Sequence, residues 1–599
     1  MFDKEEKTRR ADATQPMLAR KHRSFNELAA ARKAVRLTVQ QTLCDSNFPV
    51  PSDPGQHAVS ATRIPVDVRR LPWIRKLAAD YAFNFPALSR FFAGDPSQAQ
   101  SWRDAIARAH ACSRPRAEVA DALRAQQERR NAPASARSAA ELLRDPRAVA
   151  VVTGQQAGLF GGPLFTLLKA LTALTLADML RLQHQIPVVA VFWIDAEDQD
   201  WDEVSSCTVL DADLRARTLR LPAPHHAGEA PVASIRLGDE ILNTLNELEA
   251  ALPKTEFLPS LLVSLGEAYR PGYGMAEAFG RFMEATLGRR GLVVYDSSDP
   301  ASKPLVKRIF ARELEDPDRT SELATQAGNE LIALGYHAQV TPRDGPALFH
   351  LDGGRRAIRR QGNAFVLGDT VYQAAALASS VATEPEAFSP NVLLRPVVQD
   401  TLFPTVCYVA GPNELGYQAQ LRRIYERFGV PMPLHYPRAS ATLLDSAAAR
   451  FLVRYDMPLE SLHPQDDSAL NRLLESQLPP SVEQSLHEAT RAVEERMAAL
   501  ASAVPALDPT LAGAVRSTLG KMQHDLKTLH SKIIQAAKRR DQTLRRQFER
   551  VRAQAFPGGH PQERVIGFVS FLARSGPELV DRLAQDLPPD LHHHWVVTL

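Results

Sequence analysis

The chain has 599 residues, 44% hydrophobic and 23% charged, with a formal net charge of +2. Its length allows about four domains, its composition suits a globular core, and its near-neutral charge argues against whole-molecule attraction to nucleic acid or anionic lipid. The cysteines Cys44, Cys112, Cys207 and Cys407 are far apart and form no C-x-x-C pair; this argues against a disulfide framework and structural zinc, and fits a reducing cytoplasm.

Residues 1–62 read as a polar, flexible extension: the start has no apolar signal segment, and Asn47 to Gly55 is loop-like. From Val66 to Asp145 the pattern is helical, with Leu71, Ile74, Leu77, Tyr81 and Phe85 at spacings of three and four. Ala148 to Thr153 then reads as a buried strand ending in a glycine turn. A long apolar-periodic helix from Leu164 to Gln183 follows, and Val188 to Ile194 is a second apolar strand, far too short to span a bilayer. Strand, glycine loop, helix and strand make a βαβ unit, hence a parallel sheet.

Further strands are expected at Leu292 to Asp296, Val392 to Val398, Thr405 to Val409 and Leu434 to Pro437. Residues 210–265 and 337–370 read as insertions, the latter with hairpins turning at Gly353-Gly354 and Gly362-Asn363. The reading is α/β: a Rossmann-like parallel-sheet core over residues 63–455. An antiparallel helical coiled-coil arm follows over 456–560, and residues 561–599 pack back on the core. The arm carries a heptad seam of Val515, Leu519, Met522, Leu526, Leu529 and Ile533 opposite Val482, Leu486, Val493, Met497 and Leu500, with a discontinuity near Arg540. A seam of this kind needs covering, and a homodimer is the expected cover.

Three clusters carry candidate chemistry. The first is Thr153, Gly154, Gln155, Gln156, Gly158, Phe160 and Gly162 between strand and helix, where backbone and helix N-terminus can receive a phosphate or carboxylate. It matches neither the Walker A nor the G-x-G-x-x-G pattern. The second runs from Trp193 through Glu197, Asp198, Gln199 and Asp200 to Glu203, just beyond a strand end where open α/β sheets bind ligands. Such crowded carboxylates need a cation, an amine or a proton, so Glu197, Asp198 and Asp200 are expected to act on a substrate ammonium or on Mg²⁺, the metal at Asp198 and Asp200. The third comprises Arg395, Gln399 and Asp400, then Gly411, Pro412, Glu414 and Tyr417, with Arg438 beyond. Arg395 and Arg438 are expected to neutralise substrate carboxylates. The two glycine turns and the acidic segment should converge in one charged pocket. His592-His593-His594 reads as polar surface, and the basic face from Arg516 to Arg552 as a solvated coiled-coil exterior.

The segments V-V-T-G-Q-Q-A-G-L-F (151–160), V-F-W-I-D-A-E-D-Q-D (191–200), A-Y-R-P-G (268–272), L-L-R-P-V-V-Q-D (393–400), G-P-N-E (411–414) and P-R-A-S-A-T-L-L (437–444) together resemble the bacillithiol-biosynthesis cysteine ligase family. The resemblance covers the chain from about Ile64 to its end. It implies a Rossmann-type core with inserted segments, a coiled-coil dimerisation arm, and attachment of cysteine to glucosaminyl-malate after nucleotide-dependent activation, with ATP as cosubstrate. The family's acidic motif usually reads E-D-H-D followed by an Asn-His pair; here Gln199 and Ser205-Ser206 stand instead. Gln199 hydrogen-bonds but cannot exchange a proton near neutral pH. The rival readings are a nucleotidyltransferase acting on another acceptor, and a diverged binding or scaffold protein using its basic arm.

Overall fold

The computed structural model describes residues 63–599 except 225–226, 342–344 and 369. The extension expected over residues 1–62 lies outside the described residues. The central sheet has five parallel strands: β1 Val149–Gln156, β2 Val188–Asp195, β3 Val293–Asp296, β4 Thr405–Ala410 and β5 Leu434–Pro437. Their spatial order is β5-β4-β1-β2-β3. The chain thus builds outward on one side from β1, then returns to build outward on the other from β4. That reversal opens a crevice at the carboxyl ends of β1 and β4.

The strands are continuous apolar runs because both sheet faces are covered. Val149, Val151, Val188, Ala190 and Phe192 enter one core, shared with helix α1 (Leu164–His184). Ala150, Val152, Val189, Val191 and Trp193 enter the other, as the period-two geometry of strands requires.

Two expectations for this sheet and its connections change. Strand β1 does not turn at Gly154 but continues to Gln156, with Gly154 paired to Trp193. A Cβ on Gly154 would lie 2.9 Å from the Trp193 carbonyl oxygen, so the missing side chain serves strand packing. The turn comes later, where Phe160, Gly161 and Gly162 have φ of 52°, 90° and 77°. The expected strand at Val392 to Val398 is instead helix α2 (Arg395–Leu402), with Pro396 in its first turn. Leu394, Val397, Val398 and Leu402 are buried along it; this spacing of three and four is a helical period that a short apolar run conceals. The expected hairpins do form: Leu348–Leu351 pairs antiparallel with Arg355–Ala357, and Arg359–Gln361 with Ala364–Leu367.

A second sheet joins the ends of the described chain, with His593–Thr598 between Arg63–Asp67 and Ser440–Leu444. His594 is therefore not surface but wholly buried, bridging the Ser440 and Thr442 hydroxyls. Helices Pro480–Ala503 and Leu511–Arg540 form the hairpin arm, tied by Gln523 donating to Glu494. The helix ends at Arg540 and restarts as Gln542–Ala555, capped by Asp541. Much of the arm's seam faces outward, with Leu500, Met522 and Leu529 all exposed. Among the described residues, no helix is long and apolar enough to cross a membrane.

Candidate functional site

A cleft of about 380 Å³ opens beside the β1 end of the crevice. Its walls come from Gln155 and Gln156 at the end of β1, Gly158 and Gly162 in the turn, Thr166 in the first turn of α1, Glu203 with Ser206 to Thr208, and Arg564, Val565 and Gly567. Backbone hydrogen bonds stitch the last segment in place: Leu164 N–H donates to Ile566, Phe568 N–H to Gly162 and Gly567 N–H to Thr208. The Tyr269 hydroxyl braces the turn, accepting from Gly161 N–H at 3.1 Å. Gln156 donates at 3.1 Å to Asp198, which lines a second cleft of about 530 Å³ with Gln199, Asp200 and Asp202. Asp200 caps the short helix Trp201–Val204 through Glu203 N–H. Glu203 is exposed at the cleft mouth; partial desolvation by the cleft walls, with Asp200, Asp198 and Asp195 nearby, raises its carboxyl above the ordinary range against a hydrogen bond from Gln156.

The acidic corner is already neutralised from within. Glu197 is buried in an ion pair with Lys303 and accepts from Ser389 at 3.1 Å. Asp195 is paired with Arg395 from the start of α2. Asp198 lies 3.6 Å from Arg355, a buried guanidinium on the inserted hairpin. Burial disfavours its charge, yet Arg395 and Arg355 hold Asp198 below the usual carboxylate range. Three carboxylates thus meet three cations of the same chain, and Glu197 faces Lys303 rather than a cavity.

At the crevice itself the only cation among the described residues bonded to β1 side or main chain beyond Thr153 is Lys169 of α1, which is buried. It donates to Gly154 O at 2.8 Å, to Gln155 Oε1 at 3.2 Å, and to Glu414. Thr153 spans the same junction, its hydroxyl donating to Val409 O at 2.9 Å. Tyr417 lies near Glu414 and Arg395. Gly154, Glu197 and Gly411 therefore share one sheet edge, and neither cleft is lined by any of the three.

Family comparison agrees with this architecture. Residues 62–439 match a model described as the N-terminal Rossmann-like domain of bacillithiol biosynthesis BshC, and residues 441–599 its C-terminal coiled-coil domain. The chain belongs to the BshC family. A BshC protein of Salinibacter ruber, named as a candidate cysteine ligase, is 34% identical over 87% of this chain and 96% of its own length. One so named from Koribacter versatilis is 35% identical over 78% and 86%, and one from Chlorobaculum tepidum 34% over 75% and 82%.

Within this BshC chain several expected site residues are structural. Arg438, expected to meet substrate, makes two hydrogen bonds to Glu563, which also binds Ser440 and Ala441 N–H; the whole group is buried. Asp400 accepts from Tyr425 at 2.6 Å and from Gln399 at 3.0 Å inside the core, and burial pushes its carboxyl up to about 6. Phe160 and Trp193 are core residues, and Pro412 lies against Ser440 and Arg438 in a small separate pocket.

Mg²⁺ held by Asp198 and Asp200 alone does not fit. Asp198 is engaged by Arg355, Gln156 and Gln199 N–H, Asp200 by Glu203 N–H. Among the described residues, no three His, Cys, Asp or Glu side chains group to hold a metal. Lys169, Lys303, Arg355, Thr166 and Arg564 were not singled out by sequence reading. A lysine in an otherwise apolar helix was the one available signal; the others are ordinary in their local sequence.

Proposed function

We propose that this chain is a ligase that joins L-cysteine to glucosaminyl-malate in bacillithiol biosynthesis, in the cytoplasm, with ATP activating the cysteine carboxylate. Family membership across nearly the whole described chain supports the assignment, and the cleft at the carboxyl end of β1 and the start of α1 is the observation that carries the site. Carboxylates resist attack by amines, so one cysteine oxygen must first become part of a leaving group, as an acyl-adenylate or acyl phosphate. The sugar amine then attacks the carbonyl carbon, the C–N bond forms, and the C–O bond to phosphate breaks. The amine sheds a proton in this step, and Gln199 cannot accept it.

Glu203 is suited to that role, since it lines the cleft and its raised pKa makes it a better base than an ordinary carboxylate. Asp200 and Asp202 line the second cleft beside the Arg355-paired Asp198, and it is their charge that suits an ammonium group. Mg²⁺ would arrive on the nucleotide's phosphates, the ion's common habit. The exposed apolar residues of the arm support a homodimer through it.

The test is incubation of purified protein with glucosaminyl-malate, cysteine and ATP. Bacillithiol is expected, with AMP or ADP identifying the activated species. No product, under conditions where a related enzyme works, removes the assignment. Nucleotide turnover independent of cysteine would favour a nucleotidyltransferase.

A further inference from the structure

Most charged groups near the sheet edge are paired, and two polar groups in the 380 Å³ cleft are exceptions. Thr166 is wholly buried at the third position of the 21-residue helix α1, and its hydroxyl has no hydrogen-bond partner. An unsatisfied buried hydroxyl is destabilising, and a bound acceptor would remove that cost. Across the cleft stands Arg564. Its chain neighbour Glu563 is consumed by Arg438 and Ser440, so among the described residues Arg564 has no carboxylate of its own. Burial and the nearby Arg438 disfavour its charge and outweigh the pull of the more distant Glu563 and Glu414, a cost that a bound anion would relieve further. The backbone bonds from Ile566 and Gly567 fix the segment carrying it against the start of α1.

We propose that this cleft is a subsite for a substrate carboxylate that takes no part in bond formation, gripped by the Arg564 guanidinium and the Thr166 hydroxyl. The positive end of the α1 dipole adds to the attraction. The substrate's identity rests on the ligase reading: the malate part of glucosaminyl-malate keeps its carboxylates when the amide forms at the sugar nitrogen. The C-terminal segment thereby contributes a binding residue to a cleft otherwise built by the Rossmann-like core.

The experiment is titration of the full chain with L-malate by calorimetry, with inorganic phosphate and ATP as parallel arms. Wild type is expected to bind malate. Arg564→Gln should weaken it at least 10-fold, Arg564→Lys less, and Thr166→Val about 3- to 10-fold, with ATP affinity unchanged in all three. In turnover, Arg564→Gln should raise KM for glucosaminyl-malate and leave kcat within about 2-fold. The subsite is overturned if wild type ignores malate, if Arg564→Gln binds malate like wild type, or if these variants lose phosphate and ATP instead. Arg564-dependent malate binding without bacillithiol formation would sink the ligase reading alone. Bacillithiol formation with an unchanged KM in Arg564→Gln would sink the subsite alone.

Discussion

The acidic corner at residues 195–198 and the cleft at the start of α1 lie along the same sheet edge, yet they treat charge in opposite ways. At the corner, Asp195, Glu197 and Asp198 each meet a cation of the chain, in Arg395, Lys303 and Arg355. In the cleft, among the described residues, the Thr166 hydroxyl has no hydrogen-bond partner and Arg564 forms no close ion pair, only feeling Glu563 and Glu414 at a distance. A run of acids is conspicuous in a sequence, but once folded much of it is spent on holding the inserted hairpin and α2 to the end of β2. Unsatisfied groups remain on both sides, Asp195 Oδ1 and Gln199 Oε1 at the corner and the inconspicuous Thr166 hydroxyl in the cleft.

The largest effect that sharpens this contrast should come from breaking the corner. Lys303→Met leaves Glu197 buried and unpaired, and should cost about 3–5 kcal/mol in urea unfolding. Adding Glu197→Gln should recover much of that; a double variant as unstable as the single one would show that the pair is not the reason. Acidification probes the buried histidine at the other end of the core. Burial drives His594 from 6.5 down to about 4, against the pull of Glu563. The unfolded chain therefore takes up the proton first, and this group's contribution to stability, intact above pH 6.5, falls as pH drops toward 4. The loss is about 2 kcal/mol between pH 7 and pH 5, and His594→Gln should abolish it. Asp400 acts with the opposite sign: its raised pKa favours folding below about pH 4, a contribution lost as pH rises through about 6. Comparison of each variant with wild type separates the two.

On the cleft side, Glu203→Gln should lower kcat about 100-fold and flatten the acidic limb of the pH–rate profile. Unchanged kcat would move the proton acceptor elsewhere. The smallest effect is expected from Thr166→Val on stability. Removing an unpartnered buried hydroxyl should be neutral or stabilising by up to about 1 kcal/mol, even as malate binding weakens. A clear destabilisation would mean that the hydroxyl has a partner within the fold.

Legibility followed the range of the interactions involved. The β1–α1–β2 unit, the hairpins and the broken arm could be read because a strand's period, a helix's period and a glycine turn are written in neighbouring residues. The helix at Arg395 reads as a strand because the short apolar runs Val392-Leu393-Leu394 and Val397-Val398 fit either period until Leu402 is included. His594 looked like surface because three consecutive histidines are polar, whereas its burial depends on Ser440 and Thr442, more than 150 residues away.

The sequence by itself determined the family and the parallel Rossmann-like sheet, since these follow from local periodicity and contiguous motifs. Tertiary structure alone decided which charges remain available. Glu197 is silenced by Lys303, 106 residues on, and Arg438 by Glu563, 125 residues on, while Arg564 is brought to the cleft facing α1. Whether a charge is paired depends on a distance of a few ångströms between residues far apart in the chain, and no local pattern encodes that distance.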